Sequence, residues 1–425
     1  MRQKKEGYVM LNEVESPRTH HSISQKMKTL LPFLGPAFVA SIAYIDPGNY
    51  ATNIAAGSQF GYLLLWVILI ANIMAGLIQT LSAKIGIATG KNLPEICRDR
   101  FSRKTAIFLW IQAELMIIAT DLAEFVGAAL GIYLVFDVTL IQAALLAAVG
   151  SFAILEVQRR GYRPLETVIT GMLLVVALAF AIQTFSAQPE MKPLLSGLLI
   201  PRFDGTESIL LAAGILGATV MPHAIYLHSA LTQRRIIGKD TVARKRIMKF
   251  ERIDVMIAMI FAGAINASML IIAAAVFYKN GIIVNDLEIA HQQFDSFLGS
   301  PIAMLFGIGL MVAGLSSASV GTLAGDVVMQ GYIQKHIPIY VRRLITMTPP
   351  LLLILSGVNL SNALVWSQVV LSFGIAFALV PLLLFTSNKQ LMGGLVNHRF
   401  TTWIGWGITA IVIALNLFLI LQTFV

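Results

Sequence analysis

The feature that most constrains this chain is its series of eleven long apolar segments. Each approaches or exceeds the roughly 20 residues that an α-helix needs to cross a bilayer. Because backbone N–H and C=O groups find no water inside a bilayer, such segments have to be helical. The sequence therefore predicts an all-α polytopic membrane protein. The segments are approximately 30–57, 62–88, 105–133, 138–157, 164–186, 206–231, 251–277, 300–330, 338–356, 362–386 and 401–423.

Composition excludes the main alternatives to a membrane protein. Of the 425 residues, 57% are hydrophobic and 12% are charged, whereas a soluble domain carries about 25% charged residues. The single cysteine, Cys97, cannot form an intrachain disulfide or a cysteine-rich metal site. A soluble globular protein, a disordered chain, a coiled coil and a disulfide scaffold are therefore all excluded.

The positions of the basic residues predict the orientation in the membrane. If the amino terminus is cytoplasmic, 27 of the 31 Lys and Arg residues lie in cytoplasmic segments and three lie outside. Cytoplasmic loops carry the excess of Lys and Arg in membrane proteins. We therefore expect a cytoplasmic amino terminus and an external carboxyl terminus. The same asymmetry accounts for the net charge of +9 without a nucleic-acid partner.

The first and sixth segments differ from the others because each is interrupted by proline beside polar or metal-binding side chains. These two segments begin five spans apart, and an odd offset gives them opposite orientations. This pattern is typical of an inverted five-plus-five repeat whose broken helices meet near the bilayer midplane. We predict a cytoplasmic tail (1–28), a core of ten helices (29–400) with repeats at about 29–187 and 205–387, and an eleventh helix (401–425).

The first break, Asp46-Pro47-Gly48-Asn49, has the chemistry of a cation site. Pro47 lacks a backbone donor and Gly48 permits a non-helical backbone, so carbonyls around Ala43 are freed. Asp46 adds a negative charge, and Asn49 adds a neutral oxygen. The alternative is a proline kink in which Asp46 only caps the second half-helix.

The second break, Met221-Pro222-His223, is the counterpart of the first. Pro222 frees carbonyls near Ala218, and Met221 offers a thioether sulfur. A thioether adds little for Mg²⁺ or Ca²⁺ but favours softer transition-metal ions. The alternative for Met221 is simple packing.

Two histidines follow the second break, His223 and His228. They lie five residues apart, about 140° around a helix, which argues against a metal site made by the pair. Histidine titrates near neutral pH, so both are candidates for proton handling. The alternative for His223 is a hydrogen-bonded core histidine.

The third segment carries three carboxylates, Glu114, Asp121 and Glu124, within about 80° of one helix face. Such groups are costly inside a membrane, and they predict a proton pathway. The alternative, compatible with the first, is ion pairing with Arg342 or Arg343.

Two further polar features have weaker signals. Gln368, in the tenth segment, is a candidate oxygen ligand or a partner in an interhelical hydrogen bond. The small-residue stretch 314–325 contains serines but lacks the Gly-x-Ser-x-Gly elbow of a hydrolase. Close helix packing explains that stretch better.

At these motifs the sequence resembles the Nramp (natural resistance-associated macrophage protein) family of divalent-metal transporters, in its bacterial proton-dependent manganese branch. The resemblance covers roughly residues 30–423. It rests on Asp46-Pro47-Gly48-Asn49, on Met221-Pro222-His223 and on the stretch from Gly314 to Gly331. Asp326 stands where animal members tend to carry glutamine, and the twelfth span of animal members is absent.

The resemblance implies a LeuT-like fold and symport of a divalent metal ion with protons across the bacterial plasma membrane. Mn²⁺ is the favoured substrate and Fe²⁺ the second candidate. No resident cofactor and no obligate protein partner are expected. The resemblance also implies metal ligation and a proton route that uses Asp46 or His223 and then Asp121 and Glu124 toward Arg343. The implied ligands are Asp46, Asn49, Met221, the carbonyls of Ala43 and Ala218 and, in some conformations, Gln368.

Two rival functions make different demands on the site. In an amino-acid symporter of similar fold, the first break exposes backbone amides to the substrate carboxylate, which Asp46 would repel. A membrane-embedded metallohydrolase needs a third protein ligand and a water-activating geometry, and no spacing in the sequence supplies them. We therefore expect a transporter and not an enzyme.

Overall fold

A computed structural model describes residues 35–233 and 240–424. The described residues form helices joined by short connections, with no strand among them. The predicted tail and the start of the first apolar segment lie outside this part. The helices are α1 (Pro36–Ser41), α2 (Pro47–Phe60), α3 (Leu65–Thr89), α4 (Leu93–Arg100), α5 (Arg103–Phe136), α6 (Leu140–Arg159), α7 (Tyr162–Ala187), α8 (Met191–Leu199), α9 (Gly205–Thr219), α10 (Pro222–Gln233), α11 (Thr241–Val276), α12 (Leu287–Leu298), α13 (Ser300–Ile333), α14 (Ile339–Leu355), α15 (Leu360–Thr386), α16 (Lys389–Met392) and α17 (Arg399–Phe424).

Within the described residues, all eleven predicted segments correspond to helical structure. Nine helical spans in the described part of the chain are long and apolar enough to cross a membrane. The first segment is divided into α1, a 3-10 turn (Ile42–Ile45) and α2. The ninth is α14, which has 17 residues and contains Pro349 and Pro350. The prediction of an all-α, multi-pass membrane protein is confirmed.

Helix boundaries differ from the apolar pattern where a helix continues into water. Helix α11 begins at Thr241, ten residues before the predicted segment, because Asp240 caps it by accepting from the Ala243 N–H at 2.7 Å. Hydropathy detects only the part of a helix inside the bilayer, so the polar first turns were missed. The apolar pattern also missed helices α4, α8 and α12, which lie in the connections between spans. In α4, Asn92 and Glu95 form a capping box.

The outer surface is apolar and the interior holds polar groups, as a lipid environment requires. Large apolar side chains on the outside of several spans are exposed, whereas carboxylates, amides and both histidines of the sixth segment are buried. Burying them in protein keeps the polar groups away from the hydrocarbon. Examples of the exposed side chains are Ile73, Val149, Leu178, Phe185, Ile260, Leu352 and Trp403.

Helices α5 and α13 form the centre of the scaffold and pack along most of their lengths. A Cβ on Gly314 would lie 2.4 Å from the Ala128 nitrogen, and one on Gly131 would lie 2.3 Å from the Met311 nitrogen. Only glycine permits backbones this close. Within the small-residue stretch, Ser317 donates to its own helix, at the carbonyl of Ala313. Close packing is therefore the role that the structure shows for this stretch.

Candidate metal centre

The first break places a carboxylate between two helical segments. Asp46 has an extended backbone (φ −85°, ψ 163°) after the 3-10 turn, and Pro47 begins α2. The Asp46 side chain caps α2, because its Oδ1 accepts from the Asn49 backbone N–H at 2.9 Å. Its second oxygen, Oδ2, accepts from Gln368 Nε2 on α15 at 3.0 Å. Capping is thus only part of what Asp46 does, because it also joins the break to a third helix.

The second break follows the same logic on the sixth segment. Helix α9 ends at Thr219, Val220 leaves the helical region (φ −100°, ψ 85°), and Pro222 begins α10. In an unbroken helix the carbonyl of residue i accepts from the N–H of residue i+4. Because Pro222 has no N–H, the Ala218 carbonyl loses this partner. Met221 lies within the break and is fully buried.

Oxygen atoms from the two breaks converge on the side-chain amide of Asn49. Its Nδ2 lies 2.8 Å from Asp46 Oδ1, 3.0 Å from the Tyr44 carbonyl oxygen and 3.1 Å from the Ala218 carbonyl oxygen. An amide nitrogen carries two hydrogens, so three acceptors exceed the available donors. The Asn49 Oδ1 atom is also buried without a donor. The place where the breaks meet therefore has more hydrogen-bond acceptors than donors.

The first break is also packed closely against two neighbouring helices. A Cβ on Gly48 would overlap the Gln368 side chain, and a Cβ on Gly127 would lie 2.0 Å from the Pro47 ring. Ala43, whose carbonyl would accept from residue 47 in an unbroken helix, lies in the 3-10 turn and is fully buried. The break thus fits between α5 and α15 with no space for larger residues.

The three carboxylates of α5 have different partners. Glu114 Oε2 accepts from Arg342 Nη2 at 2.6 Å, and Asp121 Oδ1 accepts from Arg343 Nη1 at 3.2 Å. Glu124 is fully buried, and neither of its carboxylate oxygens meets a donor. It lies close enough to Asp121, Arg343 and the first break to interact with their charges. Ion pairing therefore explains the burial of two of the three acids, but it does not explain the burial of Glu124.

The two histidines face different surroundings, as their spacing predicts. His223 Nδ1 lies 3.2 Å from Thr120 Oγ1 on α5, and its Nε2 has no partner. His228 Nδ1 lies 2.7 Å from Gln79 Oε1, and its Nε2 lies 3.0 Å from Glu251 Oε1. Both neighbours of His228 are side-chain oxygens, one from α3 and one from α11.

Comparison with known proteins assigns the family. The sequence profile described as "Natural resistance-associated macrophage protein-like" matches residues 37–422. The chain belongs to the Nramp family. It is 66% identical over 395 residues to the divalent metal cation transporter MntH of Bacillus subtilis, with 93% of each chain covered. It is 51% identical over 395 residues to MntH of Deinococcus radiodurans, with 93% of this chain and 90% of the relative covered.

Solved structures agree with this Nramp assignment. A crystal structure of the Eremococcus coleocola manganese transporter, in complex with an aromatic bis-isothiourea substituted compound, is similar with a TM-score of 0.86 and 30% identity. That match covers 96% of this chain and 90% of the other. MhsT in complex with L-phenylalanine has a TM-score of 0.61 at 15% identity, over 91% of this chain and 98% of that one. This second likeness concerns the fold alone and supports the LeuT-like architecture.

Several residues of this Nramp chain were missed in the sequence analysis. Gln79 links His228 to the first break, because its Nε2 donates to the Tyr44 hydroxyl. Glu251 lies at the edge of an apolar segment, where a charge is common. The signal for Gln79 was a glutamine inside an apolar run, the same signal that selected Gln368.

Asn416 of α17 was also missed. Its amide donates to the Ser372 carbonyl at 2.7 Å and accepts from the Ser372 hydroxyl at 2.8 Å. Ser372 lies one helical turn after Gln368 and contacts Gly217 of α9. The eleventh span, outside the repeat, is therefore bonded to the helix that supplies Gln368.

Replacing Arg343 by Met should destabilise the fold by about 3–5 kcal/mol, because it leaves Asp121 buried without its partner. Both side chains are 1% exposed. Arg159→Met is the matched control, since its 3.2 Å pair with Glu156 is exposed to solvent. Thermal unfolding in detergent should show a large loss for Arg343→Met and a small one for the control. Equal losses of stability in the two variants would contradict a stabilising role for the buried Arg343–Asp121 pair.

Proposed function

We propose that this chain is a secondary transporter that imports divalent transition-metal ions together with protons, by alternating access. Mn²⁺ is the primary substrate and Fe²⁺ the second. The observation that carries the proposal is the convergence of oxygens from both broken helices on Asn49. The relatives named as divalent metal cation transporters, and the similar structure named as a manganese transporter, support it.

The proposed ligands combine one charged group with several neutral ones. Asp46 provides the carboxylate, Asn49 an amide oxygen and Met221 the thioether, and the carbonyls of Ala43 and Ala218 complete the set. Rotating the Asn49 amide by half a turn would exchange its nitrogen for Oδ1 with little change in shape. A cation would then replace the hydrogens that now lie among these oxygens.

Gln368 gives the centre a way to change between conformations. In this structure its Nε2 donates to Asp46, while its Oε1 is buried without a donor. Turning the amide would present the oxygen to a cation bound at Asp46. Because Gln368 belongs to α15 and Asp46 to the first break, a movement of either helix adds or removes this ligand.

The half-helices are the proposed moving parts. Asp46, Asn49, Met221 and Gln368 are buried in this structure, so a path to either side requires a helix to tilt. Short half-helices joined at flexible breaks can tilt about those breaks. Asp254 of α11 holds the inner half-helix α1 at its start, accepting from the Ala37 N–H at 2.9 Å. Opening toward the cytoplasm would break that bond.

The proposed proton route begins beside the metal and runs along α5. A divalent ion favours ionised Asp46, whose proton then needs another acceptor. Glu124 is the proposed acceptor, since it interacts electrostatically with Asp46 and its carboxylate oxygens meet no hydrogen-bond donor. Asp121, paired with Arg343, continues the route, and Glu114 with Arg342 extends it toward the cytoplasmic loops. His223 is the second proton acceptor at the breaks, and His228 belongs to a separate branch.

The orientation follows from the same proposal. With the amino terminus inside and the carboxyl terminus outside, the basic loops lie in the cytoplasm. The membrane potential then drives cations inward by about 2.3 kcal/mol per charge for each 100 mV. A divalent ion and a proton both gain from this field during import.

An amino-acid symporter remains the rival function, because MhsT shares the fold. In this chain, however, the first break is filled by the Asp46 carboxylate, which accepts bonds from Asn49 and Gln368. A substrate carboxylate placed there would meet a like charge. The geometry favours a cation.

Uptake into proteoliposomes is the direct test of this function. We expect Mn²⁺ to accumulate, uptake to rise when the external side is acidified, and Ca²⁺ to be excluded. Asp46→Ala should abolish uptake, because it removes the only charged ligand proposed. Asp204→Ala, an exposed carboxylate of an external connection, is the control and should transport normally. Well-folded protein without Mn²⁺ flux would refute the proposal and lead to an amino-acid screen.

Met221→Ala should change selectivity more than it changes folding. Without the thioether, the remaining ligands are all oxygens, which suit Ca²⁺ as well as Mn²⁺. We expect Ca²⁺ to compete with Mn²⁺ uptake at least tenfold more effectively in this variant. Met256→Ala, whose side chain is 57% exposed on the outside of α11, should not alter the competition. Unchanged Ca²⁺ exclusion in Met221→Ala would show that sulfur does not set the selectivity.

Glu124→Gln should separate metal movement from proton movement. Glutamine has the size of glutamate but cannot carry the proton. We expect Mn²⁺ binding to persist, while stimulation of uptake by external acid falls at least fivefold. Simultaneous recordings of Mn²⁺ influx and internal pH measure both fluxes. Proton influx at the wild-type ratio would exclude Glu124 from the route.

A further inference from the structure

Lys84 is a buried cation that neither the proposed metal centre nor the proton route uses. It lies near the end of α3 that faces the basic loops, and the residue is 5% exposed. Its Nζ donates to Asn397 Oδ1 at 2.5 Å. An ammonium group has three hydrogens to donate, and Asn397 is neutral. A charge in such a position is usually paired with an opposite one.

The groups around Lys84 are positive as well. Arg252 is an exposed residue of α11, a helix that packs against α3, and its charge opposes that of Lys84. Lys245, on the same helix, lies against the connection that leads to Asn397, with its Cε 3.7 Å from the position of a Cβ on Gly394. Helix α17 begins at Arg399, and a helix amino terminus adds partial positive charge. The site therefore gathers cations from two helices, α3 and α11, beside the amino terminus of a third.

The acids close to these cations in the sequence are turned elsewhere. Glu251, beside Arg252, points to His228. Asp240 accepts from the Ala243 N–H and caps α11. Among the described residues, no ion pair includes Lys84. The cluster thus has a surplus of positive charge that includes a nearly buried ammonium.

The surroundings hold Lys84 in place for a ligand. Asn397 Nδ2 donates to Thr386 Oγ1 at 2.8 Å, and the Asn397 backbone N–H donates to the Thr386 carbonyl at 3.0 Å. These two bonds direct Asn397 Oδ1 to Lys84 and leave the other Lys84 hydrogens available. A phosphate group can accept hydrogen bonds from an ammonium and a guanidinium at once.

We propose that Lys84 and Arg252, beside the start of α17, form a binding site for a phosphate group, supplied by an anionic phospholipid of the cytoplasmic leaflet. Basic pockets between transmembrane helices on the cytoplasmic side are suited to lipid headgroups. Here the cations lie on α3 and α11 beside the connection to α17, at the ends of spans where headgroups gather. The headgroup phosphate supplies the negative charge that would pair with Lys84.

Native mass spectrometry of the detergent-purified full chain tests the proposal, with phosphatidylglycerol as the anionic probe and phosphatidylcholine as the neutral one. Wild-type protein should retain phosphatidylglycerol selectively, and Lys84→Met should reduce that retention at least fivefold. Lys104→Met is the control, because Lys104 is an exposed lysine of the same face, and it should behave like wild type. Equal retention by wild type and Lys84→Met would overturn the proposal.

A second variant covers the case in which Lys84→Met does not fold. Arg252→Gln changes an exposed residue and should also reduce phosphatidylglycerol retention, by twofold or more. If Arg252→Gln retained the lipid fully while Lys84→Met failed to fold, the proposed site would be wrong. Neither readout depends on transport, so the lipid site and the metal function are tested separately.

Thermal unfolding distinguishes the two sources of phosphate. A ligand that binds the folded state raises its melting temperature. Stabilisation of wild type by phosphatidylglycerol but not by inorganic phosphate would identify the lipid headgroup. Stabilisation by inorganic phosphate as well, lost in Lys84→Met, would identify a general phosphate site and overturn the lipid as its specific source.

Discussion

Two missing backbone N–H groups, at Pro47 and Pro222, are the constraint on which the rest of this structure depends. Each proline removes a hydrogen-bond donor from the middle of a membrane span. Water cannot replace that donor in hydrocarbon, so the freed carbonyl needs a partner within the protein. The two breaks solve the problem together, since the Asn49 amide of one faces the Ala218 carbonyl of the other. A bound cation could also satisfy the freed carbonyls. The proposed transport site therefore lies where the two breaks meet.

The other helices hold this place in position while leaving the half-helices distinct. Helices α5 and α13 pack so closely at Gly131 and Gly314 that they form a rigid centre. Helix α15 contributes Gln368 to the first break and is bonded through Ser372 to Asn416 of the eleventh span. The scaffold therefore contacts the site through side-chain hydrogen bonds, which can break and form again. That combination suits the proposed alternating access.

Charge inside the protein is arranged around this site. Two acids of α5 are matched with neighbouring arginines of α14, and Glu124 is left without a donor close to Asp46. The matched acids each have a cationic partner, whereas the carboxylate oxygens of Glu124 meet no donor in the described part of the chain. Exchange of a proton between Asp46 and Glu124 therefore provides the proposed link between metal binding and proton movement.

The sequence by itself determined the spans, the two broken helices and the residues within the breaks, because these depend on local properties. An apolar run, a proline and its neighbours act over one or two helical turns. Tertiary structure alone decided that Arg343 pairs with Asp121 and Arg342 with Glu114, and that Gln79 and Glu251 enclose His228. These contacts join residues far apart in the chain. They depend on how each helix is rotated and how closely it approaches its neighbours, which no local pattern of residues specifies.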